Sequence, residues 1–337
     1  MGSFSSQSGQ VIVRSQTAPG IPNSDLETAG VAVRLRSGSM AINRDVLTLD
    51  PEIGGGRDTG DAYLGPANYS GDYEMYPRFE SIGSFLLGGF GSVNTVTTAG
   101  LSAHTFTPVD GQLPFMTVYE EISDAFERYL YTDAVVNTLH FEADANGLMQ
   151  ATAGMIAREQ ETGVADIDGS DLFDTTATGT GSSVFITYKN LALPAKSFSW
   201  DLTNNVEDDD FRLGSLIVAD LTAKEREITG SVSIRHKDAL LLRQASLGTP
   251  TATEVGGLTT KEEMTIELRS YATIPGVTPA TPYSLKFVMP YVMFSPAAAA
   301  PSGSDVLEND LEFTALRLDP SQPIMTAVLK NGQATIA

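Results

Sequence analysis

The sequence predicts a mainly β protein built from two tandem β-sandwich or half-barrel domains, each with one flanking α-helix. Three observations carry that prediction. Apolar residues fall at alternate positions through most of the chain, each half holds a single convincing helical pattern, and a strand-into-helix unit near residue 70 recurs near residue 230.

The elements follow in order. Val31 to Ile42 alternates apolar and polar residues, which suits a first strand with one solvated face. A long segment, Asp45 to Tyr69, comes next and reads as a loop, with three glycines at its centre. Tyr73 and Met75 mark a strand that runs straight into an apolar helix through Phe79, Ile82, Phe85 and Leu86. In the second half Val232 and Ile234 lead in the same way to Ala239, Leu240 and Leu242. The echo continues in register. Met116-Thr117-Val118 matches Met264-Thr265-Ile266, Val136 to Ala143 matches Ser284 to Phe294, and Gly147 to Ala157 matches Asp310 to Leu318. Trp200 alternates with Phe198 and Leu202 and is expected to face the core. The boundaries are an N-terminal arm at 1–30, a first domain at 31–162, a small, polar and acidic linker at 163–183, and a second domain at 184–337.

A length of 337 residues suits two domains of about 150 residues. The chain has no cysteine, so disulfides, thiolate metal sites and cysteine nucleophiles are all excluded. The N-terminus does not read as a secretory signal but as a flexible arm, and no stretch approaches the roughly 20 apolar residues of a membrane helix. No membrane insertion is expected. With 42 acidic against 21 basic residues, a formal charge of -21, binding to nucleic acid by counterion release is disfavoured.

Signs of catalysis are missing. His104, His140 and His236 stand far apart without a second ligand at i+2 or i+4, and read as strand residues on solvated faces. Glu207, Asp208, Asp209 and Asp210 lack the spacing and central glycine of a calcium loop. Gly54, Gly55 and Gly56 precede Arg57 and Asp58 without the lysine of a phosphate cradle. No cofactor and no enzymatic activity are expected.

Two adjacent stretches, FESIGSFLLGGFGS with AHTFTPVDGQLPFMTVYEE, and YTDAVVNTLHFEADANGLMQATAGMIA, resemble the major tail tube protein of long, non-contractile-tailed bacteriophages. The likeness continues through Ala195 to His236 and Asp310 to Gln333, so it spans nearly the whole chain as soft patterns. The resemblance implies tail-tube-like domains assembled into stacked rings of six, whose inner strands join in one barrel around a channel for double-stranded DNA. Some family members carry two such domains and form trimeric rings that imitate a hexamer, and the duplication fits that variant. Side by side in one ring, the two copies would be related by a rotation of about sixty degrees.

The same resemblance implies that the loop at Asp45 to Tyr69, and its counterpart Asn204 to Gly214, reach the adjacent ring. The inter-ring candidates are therefore Asp50, Glu52, Gly54, Gly55, Gly56, Arg57, Asp58 and Asp61, with Glu207, Asp208, Asp209 and Asp210. The arm and the tail after Asn331 are expected to add contacts. Implied partners are further copies of the chain, the tape-measure, tail-tip and tail-terminator proteins, and DNA in transit without specific binding. The implied location is the virion tail, and the host cytoplasm during assembly. The alternative is a β-rich phage or cell-surface adhesin or decoration protein displaying its loops. A polysaccharide hydrolase is disfavoured by 8% aromatic residues and one tryptophan.

Overall fold

A computed structural model describes residues 9–123, 127–297 and 307–336. In the first half the alternating segments become β1 (Gln10–Ser15), β2 (Val31–Val33), β3 (Leu35–Ser37), β4 (Met40–Thr48), β5 (Ala62–Met75), β6 (Gly91–Thr98), β7 (Leu101–Pro108), β8 (Met116–Glu121), β9 (Arg128–Asp144), β10 (Gln150–Ala157) and β11 (Glu159–Thr162). A one-turn helix α1 (Leu26–Ala29) precedes β2, and α2 (Ile82–Phe90) joins β5 to β6. The second half holds β12 (Val184–Tyr188), β13 (Leu191–Ala192), β14 (Ala195–Thr203), β15 (Val206–Glu207), β16 (Thr222–Ala223), β17 (Glu227–Arg235), α3 (Leu240–Leu247), β18 (Glu262–Thr273), β19 (Pro282–Phe294), β20 (Glu308–Ala315) and β21 (Thr326–Asn331).

Pairing repeats across the two halves. The order β1, β8, β9, β10, β5, β4 in the first is matched by β12, β18, β19, β20, β17, β14 in the second, antiparallel throughout. Two seams join the halves. β9 pairs with β14 from Asp144–Ser197 to Thr138–Thr203, and β7 pairs with β21 from Phe106–Ala327 to Ser102–Asn331.

Local chemistry repeats as well. Helices α2 and α3 each end on a glycine in the left-handed region, Gly91 at φ 98° and Gly248 at φ 94°, whose N–H donates to the carbonyl of Leu87 or Gln244. A side chain there would strain the turn, so the sequence supplies the residue without one. Gly71 and Gly230 recur for another reason. A Cβ on Gly71 would stand 2.1 Å from the Ser39 carbonyl oxygen, and one on Gly230 2.4 Å from that of Ser199. Their strand partners, Met40 and Trp200, are thereby equivalent positions.

One core runs through both halves, from Val11 and Val13 to Leu329. At its centre the Trp200 ring stacks on Phe141 at 5.1 Å and 9°, and meets Phe287 edge-on at 4.5 Å and 66°. The aromatic triad draws one ring each from β14, β9 and β19, so it spans the boundary between the copies.

Several expectations are corrected. The segment read as an arm at 1–30 contains β1, whose Ile12 and Val13 are fully buried and which pairs along its length with β8; the unbroken apolar run Val11-Ile12-Val13 is buried on both faces of the strand. Residues 1–8 of that reading lie outside the described residues. The first strand is broken into β2, β3 and β4: β2 pairs with β1 whereas β3 pairs with β5, and Gly38 at φ 115° turns the chain between β3 and β4. The stretch read as a loop from Asp45 to Tyr69 is a hairpin, with 45–48 in β4, 62–69 in β5 and residues 49–61 as its tip. The stretch read as a linker at 163–183 is ordered against the core. Asp174 in it is buried and accepts the Glu80 and Ser81 N–H groups at 2.9 Å each, capping the start of α2.

Candidate assembly surface

Along β9, β14, β17 and β20 one set of residues is buried, namely Leu139 and Phe141, Trp200 and Leu202, Val232 and Ile234, Leu311 and Phe313. Strand periodicity sends the residues between them to the opposite face, which is lined by hydroxyls and carboxylates. Four pairs on that face follow one rule. In the first half Asp72 opposes Gly154 and Glu74 opposes Thr152; in the second Ser231 opposes Glu312 and Ser233 opposes Asp310. Each pair holds one acid and one neutral residue. The acids lie on β5 in one copy and on the neighbouring strand β20 in the other, which avoids two like charges directly across a ladder.

The seam between the copies carries a titratable cluster on this face. His140 on β9 faces Asp201 on β14, with Nδ1 2.7 Å from the carboxylate, and Glu142 lies 3.6 Å from Nε2. The hydrogen bond to Asp201, then the charges around the ring, raise the imidazole above its ordinary value against the opposing effect of burial. His104, expected on a solvated face, is instead fully buried between the Thr95 hydroxyl and the Asn331 side chain, and burial lowers its pKa. That correction has a simple cause: β21 covers β7, a long-range pairing that alternation within β7 does not encode.

The outer edge of β4 is the most open backbone on the sheet. β4 pairs with β5 alone among the described residues, whereas β14, its counterpart, has the same edge filled by β9. Only the first residue of β4 is closed off. The Met40 N–H donates to Glu120 Oε2 at 3.2 Å, and the Tyr131 hydroxyl donates to the Met40 carbonyl at 3.0 Å. Tyr73 donates a second hydrogen bond to Glu120 Oε2 at 2.9 Å. Glu120 is 2% exposed, and burial pushes its carboxyl up to about 7 even though both donors favour the charged form. Beyond Met40 the edge is free, and Ile42, Val46 and Leu47 on β4 and Tyr63 and Leu64 on β5 are all exposed. A flat apolar edge of this kind invites another strand.

The hairpin carries the predicted tip residues Asp50, Glu52, Gly54, Gly55, Gly56, Arg57, Asp58 and Asp61, all exposed, with Ile53 projecting fully into solvent. Glu207 to Asp210 are not gathered with them. Glu207 pairs with Lys224 at 2.9 Å, Asp210 pairs with Arg212 at 2.7 Å, and the Asp208 carbonyl accepts from Asn68 at 2.9 Å. The loop that bears them lies along β5, where the Ala67 N–H donates to the Leu216 carbonyl. The tail after Asn331 also turns inward, with Ile336 packed on the core beside α2. No group of three or more potential metal ligands occurs among the described residues.

An antiparallel sheet with one apolar and one acidic face, duplicated within a chain and left open at one edge, defines a structural subunit. The chain belongs to the phage tail tube protein family, whose model matches residues 10–315. It is a structural component of the virion tail, self-assembling into a tube, and not an enzyme. No curated protein matches it in a sequence search.

Proposed function

We propose that three copies of the chain close a ring of six tube units, and that stacked rings enclose a channel through which double-stranded DNA passes into the host. The observation that carries this reading is the pairing of β9 with β14 inside one chain, set against the unfilled edge of β4. Since β4 and β14 are equivalent, the filler of the open edge is the counterpart of β9 from a second copy, namely β19. Each ring then repeats one seam three times within chains and three times between them.

The acidic and hydroxyl-bearing face is the natural lining of such a channel. With a chain charge of -21, phosphates are repelled and DNA slides without being held. The hairpin tip from Asp50 to Asp61 is the part that reaches the adjacent ring, while Glu207 to Asp210 brace its base. Tape-measure, tail-tip and tail-terminator proteins are the expected partners at the ends of the tube, and assembly takes place in the host cytoplasm.

Electron microscopy of purified protein tests the reading, which expects rings or tubes with sixfold pseudo-symmetry. Ile42→Pro removes an N–H that, by the parity set at Met40, points out of the hairpin. The variant should stay folded and lose polymerisation; tubes of ordinary length from it would sink the proposal.

A further inference from the structure

The two helices occupy equivalent places but unequal surroundings. Eight of the nine residues of α2 are buried, against only Gln244 and Ala245 in α3. Most of α2 packs on β9, β7, β6 and β1 of its own half, and one remaining face is covered by the other half of the chain. A Cβ on Gly83 would meet Ile336 at 2.7 Å and Leu329 of β21 at 3.4 Å, so this face of the helix lies directly on β21 and the C-terminal tail. The segment that leaves α2 then forms the β6–β7 hairpin, whose second strand completes the edge of β21.

Counting back from the capping glycines Gly91 and Gly248, the residue equivalent to Gly83 is Leu240, which is 47% exposed. The segment leaving α3 carries Val255 and Leu258, 84% and 85% exposed. Nothing within the described chain covers this surface as β21 covers α2. The counterpart of β21 is β11, which pairs with β9 as β21 pairs with β19, and whose far edge has no partner strand among the described residues. Charges match across the gap. Lys237 and Arg243 are exposed on and before α3, while β11 carries Glu159 and Glu161.

The geometry points to a second seam between chains: the exposed face of α3, with Leu240 and the segment from Thr249 to Lys261, docks on the β11 edge of a second copy. This rests on the ring reading above and adds an outer contact to the inner one at β4. The inner seam joins β strands, whereas this one buries apolar side chains of a helix and loop against a short acidic edge strand. Within the chain the equivalent outer seam is closed by a full hairpin; between chains it is closed only by side chains and a loop, so the three seams between chains are the weaker ones.

The absence of native cysteine allows a clean test. A chain carrying both Leu258→Cys and Gln160→Cys, assembled and then mildly oxidised, should give covalent dimers and trimers, while each single variant should not. The double variant Leu240→Asp and Leu258→Asp should keep the parent's far-UV circular dichroism and unfolding midpoint, because both side chains are exposed, and should raise the concentration needed for assembly by at least about tenfold, or about 1.4 kcal/mol. Three-chain rings that neither cross-link nor respond to the aspartates would overturn the outer seam and leave the ring intact. Failure of the parent itself to form rings would overturn both.

Discussion

The first copy of the unit is finished by the chain itself and the second is not. Around α2 the ordered segment at 163–183, the β6–β7 hairpin, β21 and the C-terminal tail all close in; around α3 a loop with exposed Val255 and Leu258 takes the place of the hairpin. At the sheet the asymmetry is reversed, since β14 is paired on both edges and β4 on one. Each copy therefore lacks what the other provides. A chain of this kind is saturated at its internal junction and unsaturated at its two ends, an asymmetry that the proposed closed ring would remove.

The largest effect should come from the junction. Trp200→Ala empties the stack between Phe141 and Phe287 and is expected to cost about 3–5 kcal/mol. Because one core spans the copies, calorimetry should record a single lowered transition; two separated transitions would mean that the halves fold as independent bodies.

The copies also turn the corner between layers differently. In the first, β9 changes sheets at Asp133, held at φ 55° with a fully buried carboxylate that meets Arg158 at 3.2 Å and the Gly20 N–H at 2.7 Å. In the second, Val288 stands at the aligned place, one residue before Met289 as Asp133 precedes Ala134, and Pro290 follows two positions on. Arg158→Ala leaves a buried charge without its partner and should cost about 3 kcal/mol in denaturant unfolding. A loss under about 1 kcal/mol would show that the ion pair does not hold the corner.

A third contrast lies in the side-chain cap on β4: counting on from Met116 and Met264, the place of Glu120 is taken in β18 by the buried, uncharged Leu268. The folded protein holds the Glu120 proton up to about pH 7, whereas an unfolded chain releases it near 4.5. Stability linked to this group is therefore full below about pH 4.5 and is lost as pH rises towards 7, to the extent of about 3 kcal/mol. Glu120→Gln keeps an acceptor for Tyr73 and Met40 and should be more stable than the parent at pH 8, with the difference vanishing near pH 4. Parallel pH profiles for the two proteins would contradict the assignment.

The smallest effect belongs to the polar face. The His140 imidazole is raised by Asp201, so its contribution is complete below about pH 6.5 and declines as pH rises through the elevated folded value. His140→Gln should flatten the thermal midpoint across that window while leaving the fold unchanged. An unaltered slope would show that the seam does not depend on the charged ring.

Much of this was legible in the chain because it lies in local pattern. The strand-helix repeat, the capping glycines behind Phe90 and Leu247, the inward Trp200 and the matched Met116 and Met264 strands all follow from periods of two or 3.6 and from turn chemistry. Elements decided by distant partners were not. β1 is held by β8 about a hundred residues away, His104 is buried by β21, and Asp174 caps a helix far behind it in sequence. The hairpin of β4 and β5 misled for a related reason: after Met40 every residue of β4 is exposed, as are the first three of β5, and β4 has a single ladder, so no apolar alternation betrays a strand there. For the same reason the acid-neutral pairing rule could not be read until the register of β5 on β10 and β17 on β20 was known.

Counting the chains in one assembled ring, by native mass spectrometry or by the symmetry of ring images, tests the central claim most directly. Three chains arranged with sixfold pseudo-symmetry are predicted, because both copies then line the same channel. Six chains per ring would contradict it, since half of the units would then lie outside the barrel.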